Sequence, residues 1–195
     1  MIRVIKDSIS DYSNALIQAD KVFRQAESYI KENYKEGSDL YKSAMKTALE
    51  VKKTATRPIL DEYNSSMKEI FTGIRDKIKS AVAVAPSADM MSIIPLIKAG
   101  KLNETELQIV IDAHKNNYMD SKLIHDAVGK GVEFQTVEKV MDNLDTLQAR
   151  VEEYFKTYHG EPLGRMSYNN ALVMMGSTLE DTNEMVNNFL NTYGE

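Results

Sequence analysis

An all-α fold is predicted by three observations. Apolar residues recur at steps of three and four along most of the chain, no segment sustains strand-like alternation, and turn residues cluster at a few short intervals. Composition agrees. Of the 195 residues, 43% are apolar and 27% charged, with only nine Gly and four Pro, the profile of a core-forming chain. The absence of cysteine excludes disulfide scaffolds, Cys-ligated zinc, iron–sulfur clusters and thiol nucleophiles.

The first helix is expected to open near Ser10, a good N-cap, along a seam of Ile9, Tyr12, Leu16, Ala19, Phe23, Ala26 and Ile30. Ala15, Val22 and Tyr29, themselves seven apart, widen that seam to a face able to pack on more than one neighbour. Gly37, Ser38 and Asp39 supply a stop and a fresh cap, a connection that folds two helices back antiparallel. From Leu40 to residue 83 the stripe continues through Tyr41, Ala48, Val51, Ile59, Tyr63, Met67, Ile70, Ile74 and Ile78 without a turn signal. Such a helix would run about 65 Å at the standard rise per residue. Pro58 cannot donate to the carbonyl of Thr54 and biases Arg57 away from helical angles, so a kink or a break is predicted at residues 56–58.

Shorter helices follow. Residues 90–99 are apolar, contain Pro95 and stop at Gly100. Asn103 and Glu106 stand at capping-box positions, flanked by Leu102 and Leu107 as a hydrophobic staple. Leu107, Val110, Ile111 and His114 share a face until Asn116 and Asn117, and Asp120 restarts a helix that ends at Gly129. Thr136 opens the most regular stripe, through Val140, Leu144, Leu147, Val151, Tyr154 and Phe155, which His159, Gly160 and Pro162 terminate. After Gly164 and Arg165, Ser167 and Ser177 are expected to cap two last helices, the second burying Leu179, Val186, Phe189, Leu190 and Tyr193.

The net charge of -5 is unevenly spread. Residues 1–82 hold 15 Lys and Arg against 12 Asp and Glu, whereas residues 83–195 hold 9 against 17. With the break at Ala85 and Pro86, this predicts a Pro-kinked, coiled-coil-like helical hairpin over residues 1–84 and an acidic, compact multi-helix domain over 85–195.

Chemical motifs are sparse. Asp112, His114, Asp120, His125 and Asp126 fall close together, but no His carries the spacing of a di-iron or zinc-peptidase motif, so packing histidines and no metal are expected. Gly129-Lys130-Gly131 lacks the remaining residues of a P-loop, and Gly-x-Ser-x-Gly does not occur. Neither catalysis nor a cofactor is predicted. The start of the chain meets charge before any apolar run, and no stretch is long enough to span a bilayer, so a cytoplasmic protein without membrane association is expected.

The function expected is protein–protein association in a structural, assembly or scaffolding role, with self-association through the N-terminal helices at Phe23, Ile30, Ile70, Ile74 and Ile78. Two alternatives accompany it. One is an adaptor or inhibitor whose acidic C-terminal surface occupies a basic, nucleic-acid-type site on a larger partner. The other is nucleic-acid binding through Lys42, Lys46, Lys52, Lys53 and Arg57. The paired methionines Met90-Met91 and Met174-Met175 read as fillers of irregular core gaps. Rich in Lys, Asn, Tyr and Met and without Cys or Trp, the chain resembles small helical accessory proteins of low-GC bacteria and their phages in composition, with no residue assignment implied.

Overall fold

A computed structural model describes residues 2–129, 132–158 and 167–194, of which 85% are helical, in seven helices with no strand among them. The helices are α1 (Ile2–Asn33), α2 (Asp39–Val82), α3 (Met90–Lys98), α4 (Glu104–His114), α5 (Tyr118–Val128), α6 (Val137–Tyr158) and α7 (Ser167–Tyr193). They form two compact units, Met1–Ile70 with Leu147–Leu179 and Phe71–Thr146 with Glu180–Glu195. The units interleave in the sequence: α2, α6 and α7 each supply residues to both, and residues 84 and 85 lie together inside the second. By unit, the charges are 15 basic against 14 acidic in the first and 9 against 15 in the second. No described helix is long and apolar enough to cross a membrane.

In the first unit, α1 starts at Ile2 rather than at Ser10. Ile5 and Ile9 extend the three-four stripe upstream and are fully buried, and that burial outweighs the capping preference of a serine left inside the helix. Tyr12 is the centre of this core. Its ring meets Tyr63 of α2 edge-on at 5.3 Å and Phe155 of α6 at 4.6 Å, and its hydroxyl donates to the Phe155 carbonyl at 3.5 Å. Burial, with Tyr154 nearby, pushes the Tyr12 phenol well above its ordinary pKa. Tyr12 touches Tyr63 and Asp20 touches Lys52, so positions fall along α2 as they rise along α1, and the two helices run antiparallel over this stretch. Gly37, at φ +79°, adopts the left-handed turn between them that an L side chain resists.

Helix α2 passes through Pro58 without a break, so of the two outcomes predicted at residues 56–58 the interruption does not occur. Proline removes the one backbone donor that would meet the Thr54 carbonyl, but half-buried Ile59, Leu60 and Tyr63 carry the stripe onward, and their packing outweighs a single missing hydrogen bond. Further along, the buried positions are Met67, Phe71, Ile78 and Ala81.

The second unit holds a small core in which α3 and α4 pack on α5. Met90, Ile97 and Ile124 are buried at its centre, and Leu102 and Leu107 close over them. The predicted capping box is complete: the Glu106 amide donates to Asn103 Oδ1 and the Asn103 amide to Glu106 Oε2, both at 2.9 Å. Helix α5 opens at Tyr118, earlier than Asp120, because Asn117 Oδ1 accepts from the amides of Met119 and Asp120. The Tyr118 hydroxyl in turn accepts from the Val137 amide at 3.1 Å, fixing the start of α6, while its ring joins Phe134, Phe189 and Tyr193 in a second aromatic cluster.

At the C-terminus one helix replaces the expected two. Met175, Leu179, Thr182, Val186, Phe189 and Tyr193 are all buried at alternating steps of four and three, a seam that runs past Gly176 and Ser177. Gly160, Gly164, Arg165 and the other residues at the expected end of α6, with Lys130 and Gly131, lie outside the described residues. Gly176 lies mid-helix, and a Cβ there would meet nothing within 4 Å. Gly176→Ala should therefore raise stability by about 0.5–1 kcal/mol in urea unfolding, whereas a stop at this position would make the alanine neutral or harmful.

Candidate functional site

Two polar clusters stand out against the apolar stripes. In the second unit, Asp120 is the third residue of α5, where the unpaired amides at a helix N-terminus favour a carboxylate. Its side chain is 1% exposed and collects three donors. The Ser87 amide reaches Oδ1 at 2.9 Å, and the Ser87 hydroxyl and His114 Nδ1 reach Oδ2 at 2.5 and 2.9 Å. His114 closes α4, Ser87 lies in the segment before α3, and Asn117 Nδ2 donates to the Ala85 carbonyl at 3.0 Å. Four side chains thus fasten residues 85–87 to the α4–α5 corner.

Serine, histidine and aspartate together invite comparison with a hydrolase triad, and the connectivity differs. In a triad the serine faces the imidazole nitrogen opposite the one that meets the carboxylate, so the ring can take its proton. Here Ser87 Oγ and Asp120 both face Nδ1, Ser87 Oγ at 3.2 Å, and the serine hydroxyl is given to the carboxylate. His114 Nε2 lies instead 3.6 Å from Asp89 Oδ2. The arrangement binds a segment in place and leaves the serine without a base.

The second cluster ties α1 to α2 in the first unit. Asp20 and Lys52 are 9% and 13% exposed in their side chains and meet at 2.7 Å, while Arg24 Nε donates to the other oxygen of Asp20, also at 2.7 Å. The Lys52 ammonium sits 4.9 Å from the centre of the Phe23 ring. Burial alone would raise the Asp20 pKa, but hydrogen bonds from Lys52 and Arg24 outweigh it and hold the carboxyl below the usual range.

The structure distributes the residues singled out by sequence unevenly. His114 and Asp120 come together, Asp112 and Asp126 are exposed, and His125 packs its ring 5.3 Å from Phe134. Among the described residues no three His, Asp or Glu side chains are disposed to hold a metal ion. Of the basic stretch, Lys52 is taken up by Asp20 and Lys53 pairs with Glu50 at 3.1 Å, whereas Lys42, Lys46 and Arg57 are exposed. Ile30 and Ile78, expected at an interface, are enclosed within the chain; Phe23, Ile70 and Ile74 are half-buried. Ser87 carries no sequence signal, being joined to its partners across 27 and 33 positions. No protein family, curated protein or solved structure matches the chain.

Two outcomes test these clusters. Asp120→Ala strips an acceptor from three part-buried donors and should cost about 2–3 kcal/mol in urea unfolding; Ser87→Ala should cost about 1, and the double variant less than the sum. The lowered Asp20 pKa makes its stabilisation complete above the unfolded carboxylate value near 3.9, and lost as pH falls through the lower folded value. Asp20→Asn should therefore flatten the acid limb of the stability profile in that window, besides lowering stability at pH 7 by about 3 kcal/mol through the stranded Lys52 ammonium.

Proposed function

We propose that the protein is a non-catalytic, protein-interaction factor that self-associates through α1 and α2 and serves an assembly or scaffolding role. The supporting observation is a set of large apolar side chains left outside the core at helical repeats. Val22 and Tyr29, seven apart on α1, are each 61% exposed, and Leu40 and Val51, eleven apart on α2, are 70% and 58% exposed. Covering what each of these side chains still exposes is worth about 1–2 kcal/mol, in proportion to the value for complete burial. Four on each of two copies are of the size needed to offset the roughly 4–15 kcal/mol that association costs. These four, rather than buried Ile30 and Ile78, are the candidates for the seam.

The acidic excess of the second unit supports the second reading, an adaptor or inhibitor that covers a basic site on another protein. Direct nucleic-acid binding through the stretch from Lys42 to Arg57 has weaker support, since Lys52 and Lys53 already face carboxylates.

Light scattering across concentration separates these readings. Self-association predicts a mass above that of the 22.0 kDa monomer that rises with concentration. Val22→Glu with Tyr29→Glu should return it to the monomer with helix content unchanged by circular dichroism, since both positions are exposed. A strict monomer at high micromolar concentration would remove self-association and favour the adaptor or inhibitor.

A further inference from the structure

We infer that a groove in the second unit receives the basic ridge of α2 from a second copy of this chain. The inference rests on the self-association reading and adds a second, electrostatic contact to it. The groove encloses about 820 Å³ beside the segment that leads into α6 and the C-terminal half of α7. Phe134, Met185 and Tyr193 supply apolar and aromatic wall, and Gln135 Nε2 ties the segment to α7 through the Met185 carbonyl at 3.1 Å. Among the described residues, Glu133, Asp181 and Glu184 line it in exposed positions against one ammonium, Lys139. A ligand that fits this lining carries several positive charges around an apolar centre.

The chain itself presents that pattern. Lys42, Lys46, Leu49, Lys53 and Arg57 are all exposed on α2, and at about 100° per residue they fall within an arc of roughly 80°. Leu49, 43% exposed, stands midway along the four cations and at one edge of their arc. Lys52 is no part of this ridge, because Asp20 holds it in a nearly enclosed pair; Lys53 meets Glu50 at 3.1 Å, but both are exposed, and so weak a surface pair yields to an opposing carboxylate. Set into the groove of another copy, Leu49 would cover the Phe134 and Met185 wall while the lysines meet Asp181 and Glu184, which lie one turn apart on α7. Ridge and groove are different surfaces, so the contact is heterologous: each copy both gives and receives, and the assembly closes into a ring or continues. Attraction between exposed charges makes such a contact sensitive to salt.

The test uses the full chain in sedimentation velocity at low and moderate salt, with two charge-reversed variants. Lys46→Glu with Lys53→Glu makes the ridge acidic, and Asp181→Lys with Glu184→Lys makes the groove basic. Each variant alone should associate at least about tenfold more weakly than the native chain, and an equimolar mixture of the two should associate again, because each mixed pair then joins opposite charges. Zero-length carbodiimide coupling of mixed isotopically light and heavy native chains should yield light–heavy peptides joining Lys46 or Lys53 to Asp181 or Glu184. If a reversal disturbs folding by circular dichroism, the neutral pair Lys46→Gln and Lys53→Gln replaces it, with the same weakening expected. Native association that ignores both reversals but is lost in Val22→Glu with Tyr29→Glu overturns the groove contact and leaves self-association standing. A native chain that stays monomeric overturns both.

Discussion

With no cysteine to cross-link the chain, its helices are held by the spacing of their apolar residues, and the three-four repeat is the constraint from which the other features follow. On α6 the buried positions are Val140, Leu144, Leu147, Val151 and Tyr154, with Phe155 buried beside the last; on α7 they run from Met175 to Tyr193 at the same alternating steps of four and three. A stripe of that kind occupies about a third of a helix surface. The remaining surface must carry the charges, and a side chain such as Val22 or Leu40 that is apolar yet lies off the stripe is exposed by geometry rather than by accident. Thr182 shows how strict the spacing is, for it keeps its place in the α7 seam although its buried hydroxyl has no hydrogen-bond partner among the described residues.

Where carboxylates enter the interior, each is met by donors of a different kind. Asp20 is held by two cations, so its charge is compensated directly. Asp120 is held by an amide, a hydroxyl and an imidazole at the start of a helix, so its charge is spread over dipoles. Both serve the same end, fixing one segment against another at a point where apolar packing alone would permit sliding. The residue types of a catalytic triad here do the work of a fastener, and the difference lies in which ring nitrogen the serine faces.

The parts of this architecture visible in the sequence are those governed by near neighbours. The α4 capping box needs only Asn103 and Glu106, and the stops at Gly100 and Gly129 need only a left-handed backbone, so both could be placed from local residue types. The start of α1 and the continuity of α7 could not, because Ser10 and Gly176-Ser177 are good terminal signals that tertiary burial overrides on either side. Ile70 and Ile74 mask Phe71 in the sequence, since they offer an equally regular stripe about a quarter of a turn away; only packing decides which of them faces inward. Lys52 is indistinguishable by sequence from the surface lysines around it, because its partner Asp20 stands 32 positions away. Ser87 joins its cluster through the same kind of distant pairing.

Pro58 has one more effect, on time rather than on form. A helix the length of α2 normally frays from its ends, since every interior turn is braced by hydrogen bonds on both sides. Proline at position 58 cannot donate to the carbonyl of Thr54, so α2 contains an interior turn with one brace missing, not far from where Tyr63 and the Asp20–Lys52 pair grip it. Transient opening can begin there as well as at the termini. Arg57, the last cation of the proposed ridge, stands beside that turn, so an opening there would reach the end of the ridge before its middle.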